Sequence, residues 1–246
     1  MTITQALPSS LANQTVVIFG GTSGIGLAAA TQAKAAGANV IVIGSNAVRA
    51  EQAAVDHGLD GWRAADVTDN DAVEAALSDI PVVHHLVLLA GTFVAATVLT
   101  AEVDYLRRAF DERIWAAISA IRALGDRLSK DGSITFISGS LADRPNAYGT
   151  AVLAAASAAM EALARGMALE LAPVRVNTLS PGPINTPILG KVLGEGRDAF
   201  VASLEQALPL HRLGTSEEAG SAAVFLMTNT FMNGAVLNID GGARLV

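Results

Sequence analysis

The chain has 246 residues, which suits one large α/β domain as well as two small ones, and its net charge is −7 with no block of Lys or Arg. That charge argues against a nucleic acid or an anionic membrane surface as a partner. There is no cysteine, which excludes disulfides, thiol nucleophiles and cysteine metal sites, and no His, Asp and Glu cluster has metal-ligand spacing. The first residues lack a signal-peptide pattern, and no apolar run approaches the length of a membrane span, so we expect a cytoplasmic protein.

Short apolar runs alternate with longer Ala-rich segments along the chain. The runs predict strands at 15–19, 39–43, 61–65, 85–90, 133–137, 174–179 and 235–239. The Ala-rich segments predict helices at 25–36, 47–57, 69–78, 101–128, 151–171 and 216–227. This alternation predicts an α/β fold, a Rossmann-type doubly wound parallel sheet of about seven strands, in a single domain over residues 1–246. The Pro/Gly-rich stretch 181–196 is interpreted as an insertion at the carboxyl edge of the sheet, where such folds bind ligands.

The first strand is followed by a glycine-rich turn that begins a helix. The glycines are Gly20, Gly24 and Gly26, in the order Gly-Gly-Thr-Ser-Gly-Ile-Gly. Glycine allows the backbone to turn tightly and approach a pyrophosphate, and the helix N-terminus then supplies N–H donors. The turn therefore predicts dinucleotide binding by Gly20, Thr22, Ser23, Gly24, Ile25 and Gly26. The alternative is a turn with a structural role alone.

The end of the second strand indicates which dinucleotide is bound. An acidic residue there favours NAD, and basic groups favour the 2′-phosphate of NADP. This chain has Gly44, Ser45 and Asn46 at that point, followed by Arg49. No carboxylate is present to repel a phosphate, so the sequence favours NADP. The alternative for Arg49 is a solvated helix residue.

Further motifs resemble those of the short-chain dehydrogenase/reductase family along nearly the whole chain. They are Gly20-x-x-x-Gly24-x-Gly26, Asp66-Val67, Leu88-Leu-Ala90-Gly91, Arg175-Val-Asn177 with Ser180-Pro181-Gly182, and Asn233-Gly with Asp240-Gly-Gly242. The resemblance implies that the cofactor is also bound by Asp66, Val67, Ala90, Gly91, Pro181, Gly182, Ile184 and Thr186. It also implies a homo-oligomer, a tetramer or a dimer, and the Ala-rich helix 151–171 offers small side chains for packing between subunits.

The catalytic positions of that family fit poorly. Family members use Tyr-x-x-x-Lys on the helix after the fifth strand, with a Ser on that strand's end. Alignment on the run 158–165 places Leu153 at the Tyr position, Ser157 at the Lys position and Ser140 at the Ser position. A slip of one residue would place Gly139 there instead of Ser140. The family's Asn, on the preceding long helix, aligns with Arg113.

Two residues are candidates to replace the missing groups. Tyr148 is either a proton donor that lies away from the family's Tyr position or, as we favour, a residue of the pocket rim. Arg113 could supply the positive charge of the absent lysine, with Ser140 or Ser157 as hydrogen-bond acceptors. Its neighbour Glu112 is expected to face elsewhere. The alternative for Arg113 is a surface residue paired with an acid of another subunit.

Two functions remain open for the chain. The first is an NADP(H)-dependent oxidoreductase that acts on an unknown small molecule and obtains its proton from the substrate, from water or from Tyr148. Hydride transfer needs a cofactor and an oriented acceptor, so loss of the acid slows such an enzyme without forbidding turnover. The second is a non-catalytic nucleotide-binding protein or partner subunit on the same fold.

Overall fold

A computed structural model of the chain describes residues 11–246, with the backbone alone at residues 191–193. The strands of this part are β1 (Thr15–Phe19), β2 (Asn39–Gly44), β3 (Gly61–Ala64), β4 (Val83–Leu88), β5 (Leu128–Ile137), β6 (Arg175–Pro181), β7 (Ile184–Asn185), β8 (Gly214–Thr215) and β9 (Val236–Ile239). The helices are α1 (Gly24–Ala35), α2 (Ala47–Asp56), α3 (Asn70–Leu77), α4 (Val103–Phe110), α5 (Ala116–Leu124), α6 (Ala151–Glu170), α7 (Pro187–Leu193), α8 (Arg197–Ala207) and α9 (Ser216–Thr228). A π-helical turn, Asp111–Trp115, joins α4 to α5.

Seven of the strands form one parallel sheet in the order β3-β2-β1-β4-β5-β6-β9. Strand order reverses between β1 and β4, where Phe19 pairs with Leu88. The predicted fold class, a doubly wound parallel sheet of seven strands, is therefore confirmed. The reversal opens a crevice at the carboxyl ends of β1 and β4, which is where this fold binds its ligands.

Helices cover both faces of the sheet, which explains why the central strands are continuous apolar runs rather than alternating ones. On one face α3, α5 and α6 pack over Phe19, Leu86 and Phe136. On the other face α1, α2 and α9 pack over side chains such as Val16 and Ile18. The helices contribute mainly small residues such as Ala29, Ala120 and Ala164 to these layers, so the largest core side chains, Phe19 and Phe136, come from the strands.

Two contacts fix α9 in place. A Cβ atom on Gly220 would lie 2.7 Å from the carbonyl carbon of Ala28, so α9 and α1 touch backbone to backbone. The buried guanidinium of Arg175 donates to the main-chain oxygens of Leu226 and Met227, at 2.8 and 2.7 Å, near the carboxyl end of α9. A cation is favourable there because the last carbonyls of a helix lack partners within the helix.

Two of the differences between the structure and the predicted elements lie close to the site. The helix predicted at 101–128 is broken into α4, the π-helical turn and α5, and it ends at Leu124. The stretch 181–196, for which no strand or helix was predicted, contains β7 and α7, and β7 pairs with β8 in a separate two-stranded sheet. Pro187 lies in the first turn of α7, where proline is tolerated.

Helix α6 is long and apolar enough to cross a membrane by length and composition, with a mean hydropathy of 1.4. The core helix of a globular domain meets the same criterion, and α6 packs against the sheet through Met160, Ala164 and Ala168.

Candidate functional site

The glycine turn lies at the point where the strand order reverses. Gly20 has φ +78°, and a Cβ atom there would lie 2.8 Å from the amide nitrogen of Ala90. A Cβ atom on Gly26 would overlap the main-chain oxygen of Gly20. Side chains at either position would therefore push the turn away from the start of α1 and from the loop after β4. The bare backbone keeps the first N–H groups of α1 open to a phosphate.

The segment after β6 approaches the same turn. A Cβ atom on Gly24 would lie 3.4 Å from the side chain of Thr186, and one on Gly182 would lie 2.7 Å from Asp240. The glycine turn, the loop after β4 and the segment 181–186 thus converge on one edge of the sheet. Such a backbone-lined cradle fits a dinucleotide, because its pyrophosphate needs close backbone approach.

The end of β2 lies beside the glycine turn. A Cβ atom on Gly44 would lie 2.6 Å from the side chain of Thr22, which fixes the distance between the two loops. Ser45, Asn46 and Arg49 are exposed, and Asn46 Oδ1 accepts a hydrogen bond from the Arg49 amide at 2.9 Å. Asn46 therefore caps α2 and leaves its amide donors available.

Asp66 follows the carboxyl end of β3, which pairs with β2 in the sheet. Its Oδ1 accepts hydrogen bonds from the Thr68 amide at 2.9 Å and from Thr68 Oγ1 at 2.8 Å. These bonds, first the one from the amide and then the one from the hydroxyl, lower the pKa of Asp66 below its ordinary value of 3.8. The carboxylate is therefore ionised at neutral pH, and its Oδ2 accepts no hydrogen bond within residues 11–246.

Ser140 begins a short 3-10 turn, Ser140–Ala142, just after β5. Several contacts hold the loop that follows, among them one from Arg144 to the main-chain oxygen of Val246. Asp143 pairs with Arg244 at 3.3 Å, and the Gly149 main-chain oxygen accepts from the Ala96 amide at 2.9 Å. Tyr148, between Asp143 and Gly149, is 78% exposed and precedes α6.

The two positions on α6 that the sequence singled out are buried. Leu153 is 3% and Ser157 is 4% exposed, so both lie on the side of the helix that faces the protein interior. One turn further on, Glu161 accepts a hydrogen bond from Ser138 Oγ at 2.7 Å. Neither Leu153 nor Ser157 supplies an ionisable group to this interior face.

Arg113 lies in the π-helical turn and reaches the loop after β4. Its Nη2 donates to the main-chain oxygen of Thr92 at 3.0 Å and its Nη1 to that of Ala109 at 3.4 Å. The guanidinium carbon lies 3.1 Å from where a Cβ atom of Gly91 would be, and Gly91 has φ +148°, a conformation that favours glycine. Burial lowers the pKa of this guanidinium, and the charge of Glu112 opposes that shift.

Three expectations about this turn are wrong. Arg113 is not a surface residue of an amphipathic helix, because its guanidinium packs on Gly91. Its acceptors are main-chain oxygens rather than Ser140 or Ser157. Glu112 does not face elsewhere, since its carboxylate accepts from Thr92, the same residue that Arg113 contacts.

Glu112 is a residue that the sequence did not single out. It is only 7% exposed, and its two oxygens have separate partners. Oε2 accepts from the Thr92 amide at 2.5 Å and from Thr92 Oγ1 at 2.7 Å. Oε1 accepts from Nε and Nη2 of Arg108 at 2.9 and 2.7 Å. In the sequence, only the ion pair with Arg108 is signalled, by the spacing of four residues between Arg108 and Glu112.

A cavity of about 10 Å³, close to the size needed for one water molecule, lies beneath this turn. Glu112 and Arg113 are its charged lining residues, and the rest of the lining is apolar, including Val67, Ala90 and Met160. The loop after β4, the π-helical turn and α6 therefore meet around one small interior space.

His85 lies at the opposite, amino-terminal edge of the sheet. Its Nδ1 is 2.8 Å from Ser133 Oγ and its Nε2 is 2.7 Å from Gln14 Oε1. Burial, followed by the charges of Arg175 and His84, lowers its pKa from 6.5 to about 3. It is therefore a neutral structural histidine. Across residues 11–246, no three His, Asp or Glu side chains come together in a way that could hold a metal ion.

Comparisons with known proteins extend these observations. The family model described as enoyl-(acyl carrier protein) reductase matches residues 20–244. The short-chain dehydrogenase/reductase ATR9 of Stachybotrys chlorohalonatus is 32% identical over 257 residues, covering 96% of this chain and 99% of the relative. The structure of the MalC reductase/Diels-Alderase from Malbranchea aurantiaca superposes with a TM-score of 0.88 at 25% identity, covering 96% and 98%. A small-chain dehydrogenase in complex with NADPH gives a TM-score of 0.82 at 33% identity, covering 95% and 100%.

Proposed function

Since the chain belongs to the short-chain dehydrogenase/reductase family, we propose that it is an NADP(H)-dependent oxidoreductase with a degenerate catalytic site, acting on a small molecule. The observation that carries the proposal is the backbone-lined cradle, in which Gly20 and Gly26 leave no room for a Cβ atom. A turn with a structural role alone would not require that close approach beside an open helix N-terminus. The NADPH complex of a relative supports the same class of cofactor.

Each part of the cradle would hold a different part of the cofactor. The turn from Gly20 to Gly26 would hold the pyrophosphate, and the ionised Asp66 could accept a hydrogen bond from the adenine amino group. The loop at Ala90 and Gly91 and the segment from Pro181 to Thr186, including Ile184, would border the nicotinamide half, because they lie across the strand reversal from β2 and β3. When bound, the cofactor supplies the hydride chemistry.

Two features support NADP over NAD. The first turn of α2 carries Arg49, and the side chains of Ser45 and Asn46 are exposed beside it. These residues offer a cation and hydrogen-bond donors to a 2′-phosphate, and the end of β2 has no carboxylate that would repel one.

The site offers a hydroxyl and a cation, and its buried carboxylate, that of Glu112, already accepts hydrogen bonds from Thr92 and Arg108. Ser140 can orient a substrate oxygen, and Arg113, which stays ionised, places positive charge beside Gly91, near the nicotinamide half. Leu153 and Ser157 cannot donate a proton as the family's Tyr and Lys do. Tyr148 is exposed, so a proton would come from solvent, from the substrate or from this tyrosine at the rim. Because general acid catalysis adds about two to four decades in rate, we expect slow reduction of simple ketones.

The experiment is a pair of titrations followed by an assay. NADPH and NADH are titrated separately by fluorescence, and NADPH oxidation is then followed with a panel of ketones, aldehydes and conjugated carbonyl compounds. We expect tighter binding of NADPH, and Arg49→Ala should reduce that preference while the exposed Arg107→Ala, a matched control, should not. Failure to bind either cofactor would contradict the proposal and favour a non-catalytic protein on the same fold. Fast turnover of simple ketones would contradict the degenerate site.

A further inference from the structure

The loop after β4 is held on both sides by two neighbouring residues of the π-helical turn. At Thr92, the amide and hydroxyl donate to Glu112, and the main-chain oxygen accepts from Arg113. Every polar atom of Thr92 is therefore engaged by the turn. In a regular α-helix, adjacent side chains diverge by about 100°, and here the wider π-helical turn brings both of these long side chains to one residue.

Glu112 is an unusual residue to place at this depth. A carboxylate that is 93% buried is costly unless its lone pairs are filled, and here four N–H or O–H groups fill them. Arg108, which is itself partly exposed, supplies the compensating charge at 2.7 Å. The carboxylate is thus fully satisfied within the chain, so it is not available to a substrate. Its effect is on the position of Thr92 and of Gly91 before it.

We propose that Glu112 is a positioning residue, whose carboxylate fixes Gly91 and Thr92 under the guanidinium of Arg113 so that the loop after β4 presents a preformed surface to the nicotinamide half of the cofactor. This inference rests on the proposed function. Gly91 has φ +148° and lies against the guanidinium of Arg113, and the peptide that joins it to Thr92 donates its N–H to Glu112, so a movement of this peptide would break that contact. Fixing the loop in advance removes an ordering cost from binding.

Glu112 acts on only one side of the strand reversal. The strand reversal separates the adenosine half of the site, at the ends of β2 and β3, from the loop after β4. A residue that acts only through Thr92 should affect the nicotinamide half and leave the adenosine half unchanged. General loss of stability would weaken both halves together.

The test compares NADPH with adenosine 2′,5′-bisphosphate, which carries the phosphorylated adenosine half without nicotinamide. For Glu112→Ala we expect the Kd of NADPH to rise about tenfold and that of the bisphosphate to stay within about twofold. Thr92→Val, which removes the hydroxyl donor at similar volume, should act in the same direction. The double variant should fall short of the sum of the two effects, because both disrupt one contact.

Asp104→Ala is the matched control, because Asp104 is an exposed acid on α4 that pairs with Arg107 at 2.8 Å. It should leave both dissociation constants unchanged, and circular dichroism should report the same secondary structure for all variants. If the native chain binds both ligands and Glu112→Ala changes neither Kd, or raises both equally, the inference is overturned and the proposed function stands. If the native chain binds neither ligand, the proposed function fails and the inference with it.

Discussion

His85 should make the protein progressively less stable as the pH falls below 6.5. In the folded chain its ring is enclosed by Ser133 and Gln14, and burial lowers its pKa to about 3. In the unfolded chain the same ring binds a proton near pH 6.5. Between about pH 6.5 and pH 3 the unfolded state therefore binds one proton more than the folded state. The free energy of unfolding must fall with falling pH across this window and reach its full value above it.

The size of the effect follows from the difference between the two pKa values. Each pH unit in the window lowers the free energy of unfolding by about 1.4 kcal/mol. The loss from His85 is thus about 2 kcal/mol at pH 5 and on the order of 5 kcal/mol near pH 3. The loss at pH 5 is the one to measure, because most carboxylates are still ionised at that pH.

The assay is urea unfolding, followed by tryptophan fluorescence, at several values between pH 5 and pH 8. His85→Asn removes the titrating ring but keeps an amide that can bond to Ser133. This variant is expected to lose some stability at pH 8 and to show a flatter dependence on pH than the native chain. His57→Asn, at an exposed position after α2, is the control and should retain the native slope. Equal slopes for the native chain and His85→Asn would refute the reasoning.

Three further predictions concern the backbone cradle, α9 and the outer surface. Gly26→Ala should abolish cofactor binding in the fluorescence titration, because its Cβ atom would overlap the main-chain oxygen of Gly20; unchanged affinity would contradict the cradle. Arg175→Met should lower the free energy of unfolding in urea by about 3 kcal/mol, because the last carbonyls of α9 lose a charged donor; a loss below about 0.5 kcal/mol would show that solvent replaces it. We expect a homo-oligomer by light scattering, since Phe231 (99% exposed), Leu169 and Trp115 leave large apolar side chains uncovered; a monomer at micromolar concentration would contradict this, and Phe231→Asp should weaken the assembly.

The sheet could be predicted from the sequence because its signals are local. A run such as Thr15–Phe19 is short, apolar and bounded by polar or glycine residues, and the structure reproduces its ends. The glycine turn could also be predicted, because its glycine spacing indicates a nucleotide-binding turn when it follows a strand and begins a helix. Helices α7 and α8 were missed because the Pro/Gly-rich composition around them favours loops, and α8 has no buried residue to produce a strong apolar pattern.

The arrangement around Arg113 could not be predicted in the same way. Arg113 was singled out because it stands where the family has Asn. Its hydrogen-bond partners, however, depend on where the π-helical turn lies and on the path of the loop after β4. Those are properties of the tertiary structure, and no periodic pattern reports them. Glu112 is instructive because a charged residue at helical spacing from Arg108 normally indicates a solvated surface pair. Here the same spacing holds a buried carboxylate.

The close contact between α1 and α9 should make Gly220 intolerant of substitution in experiments that replace every residue in turn. Gly220 faces the backbone of Ala28 with no space for even one methyl group, although it carries no chemistry and lies outside the cradle. In a saturation library it should be as intolerant as Gly20 or Gly26. Intolerance to substitution alone would therefore not distinguish a glycine required for helix packing from a glycine of the cofactor turn. Sorting the library for abundance as well as for ligand binding separates packing from binding: Gly220 variants should disappear from both sorts, whereas variants at the exposed Ser45 or Arg49 should remain abundant and bind NADPH less tightly.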